Sequence, residues 1–374
     1  MDKAFLDVSP IFEDHWTGIP VVTAGLAQCA LDAPEIDWGF LFKTVVVERK
    51  VVAEILRLRR GGQFLAHLEQ QLWDGRVLSR DDMRAAACIT TNVKAVRRGF
   101  AREGLVVHDL SALLTPEFHH SDTVHHHASR IRGDIESTDF FFCMSHATMM
   151  DVRSYFGVAG SAAVVIPMGL SMDPCMLTRL LAERAERECE AYVCVLGTIE
   201  PRKNGGIVLG FLRDNPWVLN RYRFVFIGRD GWNDEKQRML DELAALGLDT
   251  GRIVFTGFVP DETKLRLLLS SRFCIYPSFF EGFGIPIAEA AALGKYVVCS
   301  DSSSMTEVAP DISFYFDPTD VFAFGDAFFR ADQASRLTWL DRLGFGDIAA
   351  RLERRNWRLA YDVVSTWVMT GAPA

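Results

Sequence analysis

The sequence predicts an α/β protein built on doubly wound parallel sheets. Short apolar runs alternate with helical segments through the C-terminal half, as in a parallel sheet with crossover helices. Glycine-bearing loops follow several of these runs, at the ends where ligands of such sheets bind. The length of 374 residues favours two domains, at a prior of about 150 residues each. Hydrophobic residues make up 49% of the chain, which is enough for two cores.

The N-terminal half yields strands and two helices. Strands are expected at residues 4–7, 38–42, 105–110, 140–144 and 163–166. The turn at residues 17–20 opens a helix that runs to residue 30, and Ser145 is the expected N-cap of a helix at residues 148–156. For residues 49–104 the sequence predicts no clear order of helices and strands.

The C-terminal half repeats strand, turn and helix. Strands are expected at residues 192–196, 223–227, 253–255, 273–276, 296–299 and 313–316. Helices are expected at residues 235–246, 265–269 (with Asp261 as N-cap), 286–293 and 354–367. Five loops should converge at the carboxyl ends of the strands, namely those of Gly197-Thr198, Arg202-Lys203, Gly228, Gly257 and Glu281–Gly284.

Two carboxylates flank one of these loops in the run F-E-G-F-G-I-P-I-A-E. Glu281 lies in the loop and Glu289 lies about two turns into the following helix, whose first turn tolerates Pro286. Free backbone N–H groups and the helix dipole favour an anion at such a helix N-terminus. Alone, this spacing more often reflects two solvated glutamates, so the interpretation depends on the neighbouring motifs.

Those motifs together resemble a known family. The runs G-T-I-E-P-R-K-N, F-I-G-R-D-G-W, F-T-G-F-V-P-D, I-Y-P-S-F-F-E-G-F-G-I-P-I-A-E-A and S-D-S-S-S-M-T-E-V-A occur in order between residues 192 and 310. They are similar to the C-terminal half of retaining glycosyltransferases of family 4. The resemblance implies the GT-B fold, in which two Rossmann-like domains face each other across a cleft. It also implies a nucleotide-sugar donor, retention at the anomeric carbon, and no required metal or other cofactor.

The resemblance also suggests the domain boundaries. Residues 1–172 would form the acceptor-side domain, 173–190 a linker and helix, and 191–350 the nucleotide-sugar-binding domain. Residues 351–374 would form a last helix that returns to the first domain.

Arg202 and Lys203 are the candidate catalytic cations, since they follow a strand end. Breaking a sugar–diphosphate bond develops negative charge on the leaving phosphate, which preorganised positive charge stabilises. Guanidinium and ammonium groups are suitable donors to phosphate oxygens. The alternative is two surface bases in a P-R-K-N turn, and the neighbouring motifs favour the functional interpretation.

For the two glutamates the resemblance implies different partners. Glu281 would contact the hexose hydroxyls as a catalytic residue, and Glu289 would accept hydrogen bonds from the ribose. The front-face mechanism described for the family has the leaving phosphate take the acceptor's proton. The other candidate donor-binding residues are Thr198, Val259, Phe283, Gly284 and Ile285, with Val259 along the base and the last three offering backbone amides.

In the N-terminal half, His108 and Gly18 are the candidate site residues. His108 ends an apolar strand and is followed by a P-E-F-H run at residues 116–119, as in the family. A neutral imidazole there can hydrogen-bond a sugar hydroxyl, and the alternative is a locally satisfied loop histidine. Gly18 matches a family loop that approaches the donor phosphate or the acceptor, although a lone glycine is more often a turn. Met168 replaces the asparagine that the family usually carries before Gly169.

A histidine cluster, His119, His120 and His125–His127, invites a metal interpretation. No cysteine at fixed spacing and no H-E-x-x-H accompanies it, and the chain contains no D-x-D pair. The sequence therefore predicts no functional metal, and the cluster is expected in a mobile loop that faces the acceptor.

Composition indicates a cytoplasmic protein. The net charge of −9 argues against a nucleic-acid binder. No apolar run reaches the roughly 18–20 residues that span a bilayer, and the first residues lack the apolar core of a signal peptide. The eight cysteines show no C-x-x-C pair and are expected to be reduced.

Two basic clusters suggest a peripheral contact with an anionic membrane. Arg57, Arg59 and Arg60 form the first cluster, and Lys94, Arg97, Arg98 and Arg102 form the second. At helical spacing the second would present a basic face to anionic lipid. A solvated helix face is the alternative.

The sequence thus predicts a glycosyltransferase that moves a hexose to a glycan or lipid-linked acceptor. The motifs most resemble members that transfer mannose from GDP-mannose in bacterial polysaccharide synthesis, and UDP-glucose or a UDP-N-acetylhexosamine is the second choice of donor. A non-catalytic GT-B protein that binds a nucleotide or glycan is the alternative. A nicotinamide-dependent oxidoreductase is disfavoured because no G-x-G-x-x-G follows a strand.

Overall fold

The computed structural model describes residues 3–14, 16–170, 172–184, 191–337, 351 and 355–372. The chain divides into two compact units. Unit 1 comprises Met1–Leu110, His125–Ser171 and Arg355–Ala374, and unit 2 comprises Ser111–Val124 and Met172–Arg354. The segment Ser111–Val124, which the sequence placed in the first domain, therefore groups with unit 2. Residues 185–190 of the expected linker and 338–350 of the expected second domain lie outside the described residues.

The N-terminal part of the chain forms one mixed sheet and its covering helices. In chain order the elements are β1 Lys3–Asp7, α1 Gly18–Asp32, β2 Asp37–Phe42, β3 Val45–Val47, α2 Arg49–Leu58, α3 Gly62–Trp73, α4 Arg80–Arg84, β4 Ala87–Thr90, β5 Arg102–Val107, α5 Ser111–Leu114, α6 Ser121–Glu136, β6 Phe140–Cys143, α7 His146–Phe156 and β7 Ala163–Val165.

The sheet of unit 1 has the strand order β3-β2-β1-β4-β5-β6-β7. Every neighbouring pair is parallel except β2 with β3, which is antiparallel. All residues of β4 and β6 are buried, as expected for parallel strands covered on both faces. Ser145 caps α7 as predicted, since its hydroxyl accepts a hydrogen bond from the Thr148 amide.

The last helix, α15 Trp357–Thr370, packs on unit 1. Trp367 is buried and stacks on Phe140, with ring centroids 5.7 Å apart, and Trp38 donates a hydrogen bond to the Tyr361 hydroxyl at 2.9 Å. The ring of Trp357 lies against the backbone of Gly25 in α1, where an added Cβ would come within 2.2 Å of it. Close helix packing therefore requires glycine at that position.

The C-terminal part contains a second set of strands and helices. In chain order these are α8 Pro174–Arg184, β8 Tyr192–Leu196, α9 Gly206–Asp214, β9 Arg223–Ile227, α10 Glu235–Ala245, β10 Ile253–Phe255, α11 Asp261–Ser270, β11 Cys274–Tyr276, α12 Ile285–Ala292, β12 Val297–Ser300, α13 Met305–Val308, β13 Ser313–Phe316 and α14 Val321–Leu337.

The sheet of unit 2 is wholly parallel, in the order β10-β9-β8-β11-β12-β13. Its core is aromatic: the buried Phe328 of α14 contacts the rings of Phe211, Phe224 and Phe273 at centroid distances of 4.9 to 5.9 Å. Two doubly wound α/β units are thus present, and the predicted fold class is confirmed.

Two local predictions were wrong. Asp261 is the first residue of α11 and Pro260 occupies the N-cap, so Asp261 does not cap the helix. The histidine cluster is not a single loop, because His125–His127 lie within α6, whereas His119 and His120 precede that helix.

The basic face predicted around Lys94 is absent, because residues 91–101 form no helix. Lys94 is buried, pairs with the carboxylate of Glu103, and donates a hydrogen bond to the Ser137 carbonyl at 2.9 Å. Arg97 binds Asp134 at 2.8 Å, and Arg102 donates to the Val368 carbonyl at 2.5 Å. Lys94, Arg97 and Arg102 thus make contacts within unit 1, and no helix aligns them on one face.

Over the described ranges, none of the helices is both long and apolar enough to cross a membrane. The seven cysteines among these residues are free thiols, and Cys189 lies outside them.

Candidate functional site

The candidate site of unit 2 lies at the topological switch point of its sheet. The chain runs from β8 outward to β9 on one side and from β11 outward to β12 on the other. Ligands of open α/β sheets bind at the carboxyl ends of strands that flank such a point. The 3₁₀ turn Pro201–Lys203 follows β8, and the loop at residues 277–284 joins β11 to α12.

Three of the five loops expected at this edge meet through glycines. Gly228 and Gly257 form a β-bridge. A Cβ at Gly228 would lie 2.0 Å from the carbonyl oxygen of Gly197, a distance that no side chain tolerates. Gly197 has a φ of +117°, a conformation that favours glycine. The predicted convergence of these loops is therefore present, and close backbone approach explains their glycines.

Glu281 is the centre of a buried charged cluster. Its Oε1 lies 2.5 Å from Lys203 Nζ and 2.9 Å from Arg202 Nη1, and it accepts a hydrogen bond from the Ser278 hydroxyl at 2.5 Å. All three charged side chains are at most 14% exposed. The structure thus brings together the three candidate catalytic residues that the sequence predicted in this half of the chain.

Further groups fix the two cations. Arg202 donates to Glu200 Oε1 at 2.8 Å and to the Phe280 carbonyl at 2.6 Å. Lys203 donates to the Tyr276 hydroxyl at 2.8 Å. Glu200 and Tyr276 were not among the predicted site residues, although Glu200 stands within the quoted G-T-I-E-P-R-K-N run and could have been found from it.

The electrostatics of the cluster follow from burial and pairing. Burial opposes ionisation of Glu281, but the charges of Arg202 and Lys203 outweigh it and lower the pKa of Glu281 to about 2. Burial lowers the pKa of Lys203, against the charge of Glu281, which raises it. Burial raises the pKa of Glu200 in spite of the nearby Arg202. Glu281 is therefore ionised at neutral pH and acts as an acceptor.

Three consecutive serines hold the loop that carries Glu281. Ser302 donates to the Phe279 carbonyl at 2.7 Å, and Ser303 and Ser304 donate to the Glu281 carbonyl at 2.6 and 2.8 Å. This role was not predicted, although the S-D-S-S-S run was visible in the sequence.

The N-terminus of α12 adds an anion-binding element to the same edge. Gly284 is its N-cap with a φ of +102°, and Ile285 and Pro286 begin the helix. The Ser304 hydroxyl also donates to the Phe283 carbonyl at 3.0 Å. N–H groups in the first turn of a helix lack an intrahelical partner, so this terminus suits an anion.

Glu289 makes an ion pair with a residue outside the Glu281 cluster. Its Oε1 binds Lys264 Nζ at 2.7 Å, and Lys264 is also 3.7 Å from Asp261. Val259 is half-buried in the loop after β10, and Thr198 lines a small recess with Glu200 and Lys203. The two glutamates therefore have different ion-pair partners.

His108 and Gly18 belong to unit 1. His108 follows β5, and its Nε2 lies 2.7 Å from the Thr91 carbonyl oxygen, to which it must donate. Burial lowers the pKa of His108, so the neutral ring keeps its hydrogen on Nε2 and its lone pair on Nδ1. Gly18 begins α1, and a Cβ there would meet no described atom within 4 Å. Packing among the described residues thus gives no reason for glycine at position 18.

Unit 1 has a switch point of its own, between β1 and β4. A recess at this point is lined by Asp7, Lys43, Cys88, Thr90, Lys94 and Glu103. Asp7 is buried, and burial raises its pKa to about 6 against hydrogen bonds from the amide and hydroxyl of Ser9. Sequence reasoning missed Asp7, because a single aspartate at a strand end carries no motif.

No cluster of three or more histidine, cysteine or acidic side chains suited to a metal occurs within the described parts of the chain.

Comparison with known families and proteins gives one consistent result. Residues 179–330 match the family model described as glycosyl transferases group 1. O-antigen chain mannosyltransferase B of Escherichia coli is 31% identical over 223 residues, which cover 58% of this chain and 57% of that protein. Phosphatidyl-myo-inositol mannosyltransferase of Mycolicibacterium smegmatis is 30% identical over 214 residues, covering 56% and 51%. The chain spans about half the length of these two relatives.

Solved structures share the fold across the whole chain. HepE of Anabaena, in complex with UDP and glucose, has a TM-score of 0.67 at 15% identity, covering 99% of this chain and 100% of that one. WaaG, described as a glycosyltransferase involved in lipopolysaccharide biosynthesis, has a TM-score of 0.63 at 12% identity with the same coverage. The GT-B fold and the resemblance to bacterial mannosyltransferases of family 4 are thereby confirmed.

Proposed function

We propose that this protein is a retaining glycosyltransferase that moves a hexose from a nucleotide-sugar donor to a glycan or lipid-linked acceptor. The observation that carries the proposal is the buried cluster of Arg202, Lys203 and Glu281 at the switch point of unit 2. Two cations beside a helix N-terminus suit a diphosphate, and an ionised carboxylate suits sugar hydroxyls. The mannosyltransferase relatives support transfer of mannose.

In the proposed reaction the bond between the anomeric carbon and the β-phosphate oxygen breaks, and the acceptor oxygen bonds to the same face of that carbon. The proton of the acceptor hydroxyl passes to the leaving phosphate. Arg202 and Lys203 stabilise the charge that develops on this phosphate, and in this role they replace a divalent cation. When the diphosphate arrives it competes with Glu281 for the cations, which frees the carboxylate to accept from the hexose.

Other residues bind the donor or orient the acceptor. Glu289 accepts hydrogen bonds from the ribose, since Lys264 holds it away from the Glu281 cluster. The loop of Val259 lies along the base. His108 accepts a hydrogen bond from a sugar hydroxyl through Nδ1, because its Nε2 is occupied by Thr91. These roles extend the resemblance to the residues of this chain.

GDP-mannose is the proposed donor, because several of the similar curated proteins are named as mannosyltransferases. A UDP-sugar is the second candidate, and it is favoured by the fold shared with HepE, whose structure contains UDP.

A donor panel tests the proposal. The protein is incubated with GDP-mannose, UDP-glucose and UDP-N-acetylglucosamine, and release of nucleoside diphosphate is followed with and without mannosylated acceptors. We expect GDP-mannose to be consumed fastest, with NMR showing an axial anomeric bond in the product, as in the donor. Consumption of no nucleotide sugar by folded protein would contradict a transferase and favour a non-catalytic binding protein.

A further inference from the structure

A short segment of the chain contacts two loops of the candidate site. We call Ser111–Val124 the clip; it groups with unit 2, although the chain before and after it groups with unit 1. It contains α5, the 3₁₀ turn Pro116–Phe118 and the first residues of α6. It includes the P-E-F-H run at residues 116–119, and the proposed chemistry gives this run no role.

The first contact is an aromatic stack. The ring of Phe118 lies parallel to that of Phe279, with a 2° angle between their planes and centroids 4.6 Å apart. Phe279 lies two residues before Glu281 in the loop after β11. Its amide donates to the Arg202 carbonyl at 2.8 Å, and its carbonyl accepts from Ser302. The clip therefore covers the residue that joins Arg202 to the Glu281 loop.

The second contact is to the loop after β9. Trp232 donates its indole N–H to the Phe118 carbonyl at 3.0 Å, and its ring stacks on that of His119 at 6.2 Å. The preceding Gly231 donates its amide to the Ile199 carbonyl at 3.0 Å, so this loop lies on the chain just before Glu200. The clip thus touches both loops that support the two cations.

We propose that Phe118 is a positioning residue of the candidate site, which holds the Phe279–Glu281 loop through its stack on Phe279. Phe118 itself lies outside the Arg202–Lys203–Glu281 cluster and acts through Phe279. An offset parallel stack of two aromatic rings stabilises the pair beyond the area it buries. Both rings are half-buried in the stack, so loss of one exposes more of the other and gives the loop more freedom. The expected effect of Phe118 on turnover rests on the proposed function.

Hydrogen exchange tests the structural part without any assay of activity. Phe118→Ala should accelerate amide exchange at residues 278–284 by roughly five- to tenfold, the size expected for a lost aromatic pair. Phe118→Tyr keeps the ring and should restore the wild-type rate. Phe322→Ala is the matched control, since Phe322 is 80% exposed on α14. Unchanged exchange at residues 278–284 in Phe118→Ala would overturn the proposal.

Kinetics test the functional part. With the donor that wild type consumes, Phe118→Ala should lower kcat by about tenfold and raise KM for the donor less, because a displaced Glu281 loses contacts made in the transition state. If Phe118→Ala unfolds at the assay temperature, Phe118→Leu takes its place in the kinetic assay. Wild-type kcat in a variant with accelerated exchange would show that the clip has only a structural role. If wild type consumes no donor, the proposed function fails. Hydrogen exchange alone then tests whether Phe118 positions the Phe279–Glu281 loop.

Discussion

At the scale of single residues, the central finding is that a buried carboxylate is held between two cations. Removing one member of such a cluster leaves an uncompensated buried charge, so each member has a structural as well as a chemical effect. Glu281 faces both Arg202 and Lys203, whereas the ion pair of Glu289 within the described residues is with Lys264. The two glutamates should therefore respond differently to substitution.

The first prediction compares Glu281→Ala with Glu289→Ala. Loss of a contact made mainly in the transition state lowers kcat, and we expect a loss on the order of 10²-fold for Glu281→Ala. A ribose contact made equally in ground and transition states appears in KM, so Glu289→Ala should raise KM about tenfold at nearly unchanged kcat. Steady-state kinetics of both variants, with thermal melts to check folding, measure this. Wild-type kcat and KM in both would refute the site.

The second prediction concerns Asp7 and pH. Its pKa in the folded protein, about 6, lies above its ordinary value of 3.8. The stability it contributes is therefore present below pH 3.8 and lost as pH rises through 6. Asp7→Asn cannot ionise, so it should be more stable than wild type at pH 8, by up to about 3 kcal/mol, and similar to it near pH 4. Denaturant melts across this range measure the difference.

Asp37→Asn is the control for Asp7, because Asp37 is exposed at the start of β2. A stability difference for Asp7→Asn that does not grow between pH 4 and pH 8 would show that folding does not raise the pKa of Asp7.

At the scale of elements, the sequence predicts strands well and long-range pairs poorly. All the strands expected in the C-terminal half occur within one residue of their predicted ends, since short apolar runs bounded by glycine and proline are local signals. Lys94, Arg97 and Arg98 were placed on one helix face from their spacing alone. The buried pair of Lys94 with Glu103 and the pair of Arg97 with Asp134 override that spacing, and neither partner is visible from local sequence.

The residues of the candidate site divide in the same way, into those with a local sequence signal and those whose roles depend on long-range contacts. Arg202, Lys203 and Glu281 were predictable because each stands in a recognisable run. Tyr276 and Phe118 also stand in quoted runs, but their roles, like that of Asp7, could not be predicted because they depend on which strand ends and turns become neighbours after folding. Tyr276 stands in the quoted I-Y-P-S-F-F-E-G run, but its role follows only from the hydrogen bond that Lys203 donates to it in the folded protein.

The third prediction concerns α15. Trp367 is 2% exposed and contacts the rings of Phe140 and Phe142. Trp367→Ala should lower the free energy of unfolding by about 3–5 kcal/mol, as for other large aromatic residues truncated in cores. Met369→Ala is the matched control on the same helix, since Met369 is 45% exposed. Equal effects of the two variants in urea melts would show that α15 does not pack on unit 1 in solution.

At the scale of the whole molecule, two doubly wound units each present a switch point with buried polar side chains. Unit 2 offers cations and a helix N-terminus, whereas unit 1 offers Asp7 and His108. On this basis we propose that the diphosphate-bearing donor binds unit 2 and that the hydroxyl-bearing acceptor contacts unit 1.

The fourth prediction is that activity survives chelation. In the proposed mechanism Arg202 and Lys203 supply the positive charge that a divalent cation would otherwise bring to the diphosphate, and the sequence contains no D-x-D pair. Donor turnover in excess EDTA should match that in buffer within about twofold, as expected when no metal stabilises the leaving group. Loss on chelation, with recovery on adding manganese or magnesium, would contradict this mechanism.

The most direct test of the central claim is calorimetric titration of GDP, UDP and their nucleosides into wild type and Lys203→Met. Methionine keeps the length of the lysine stem and removes its charge, and Lys50→Met is the control because Lys50 is exposed. If the cluster binds a diphosphate, one nucleoside diphosphate should bind wild type at least about tenfold more tightly than its nucleoside, a gain of about 1.4 kcal/mol that Lys203→Met loses. Equal binding of diphosphate and nucleoside by wild type, or the full gain in Lys203→Met, would contradict the account.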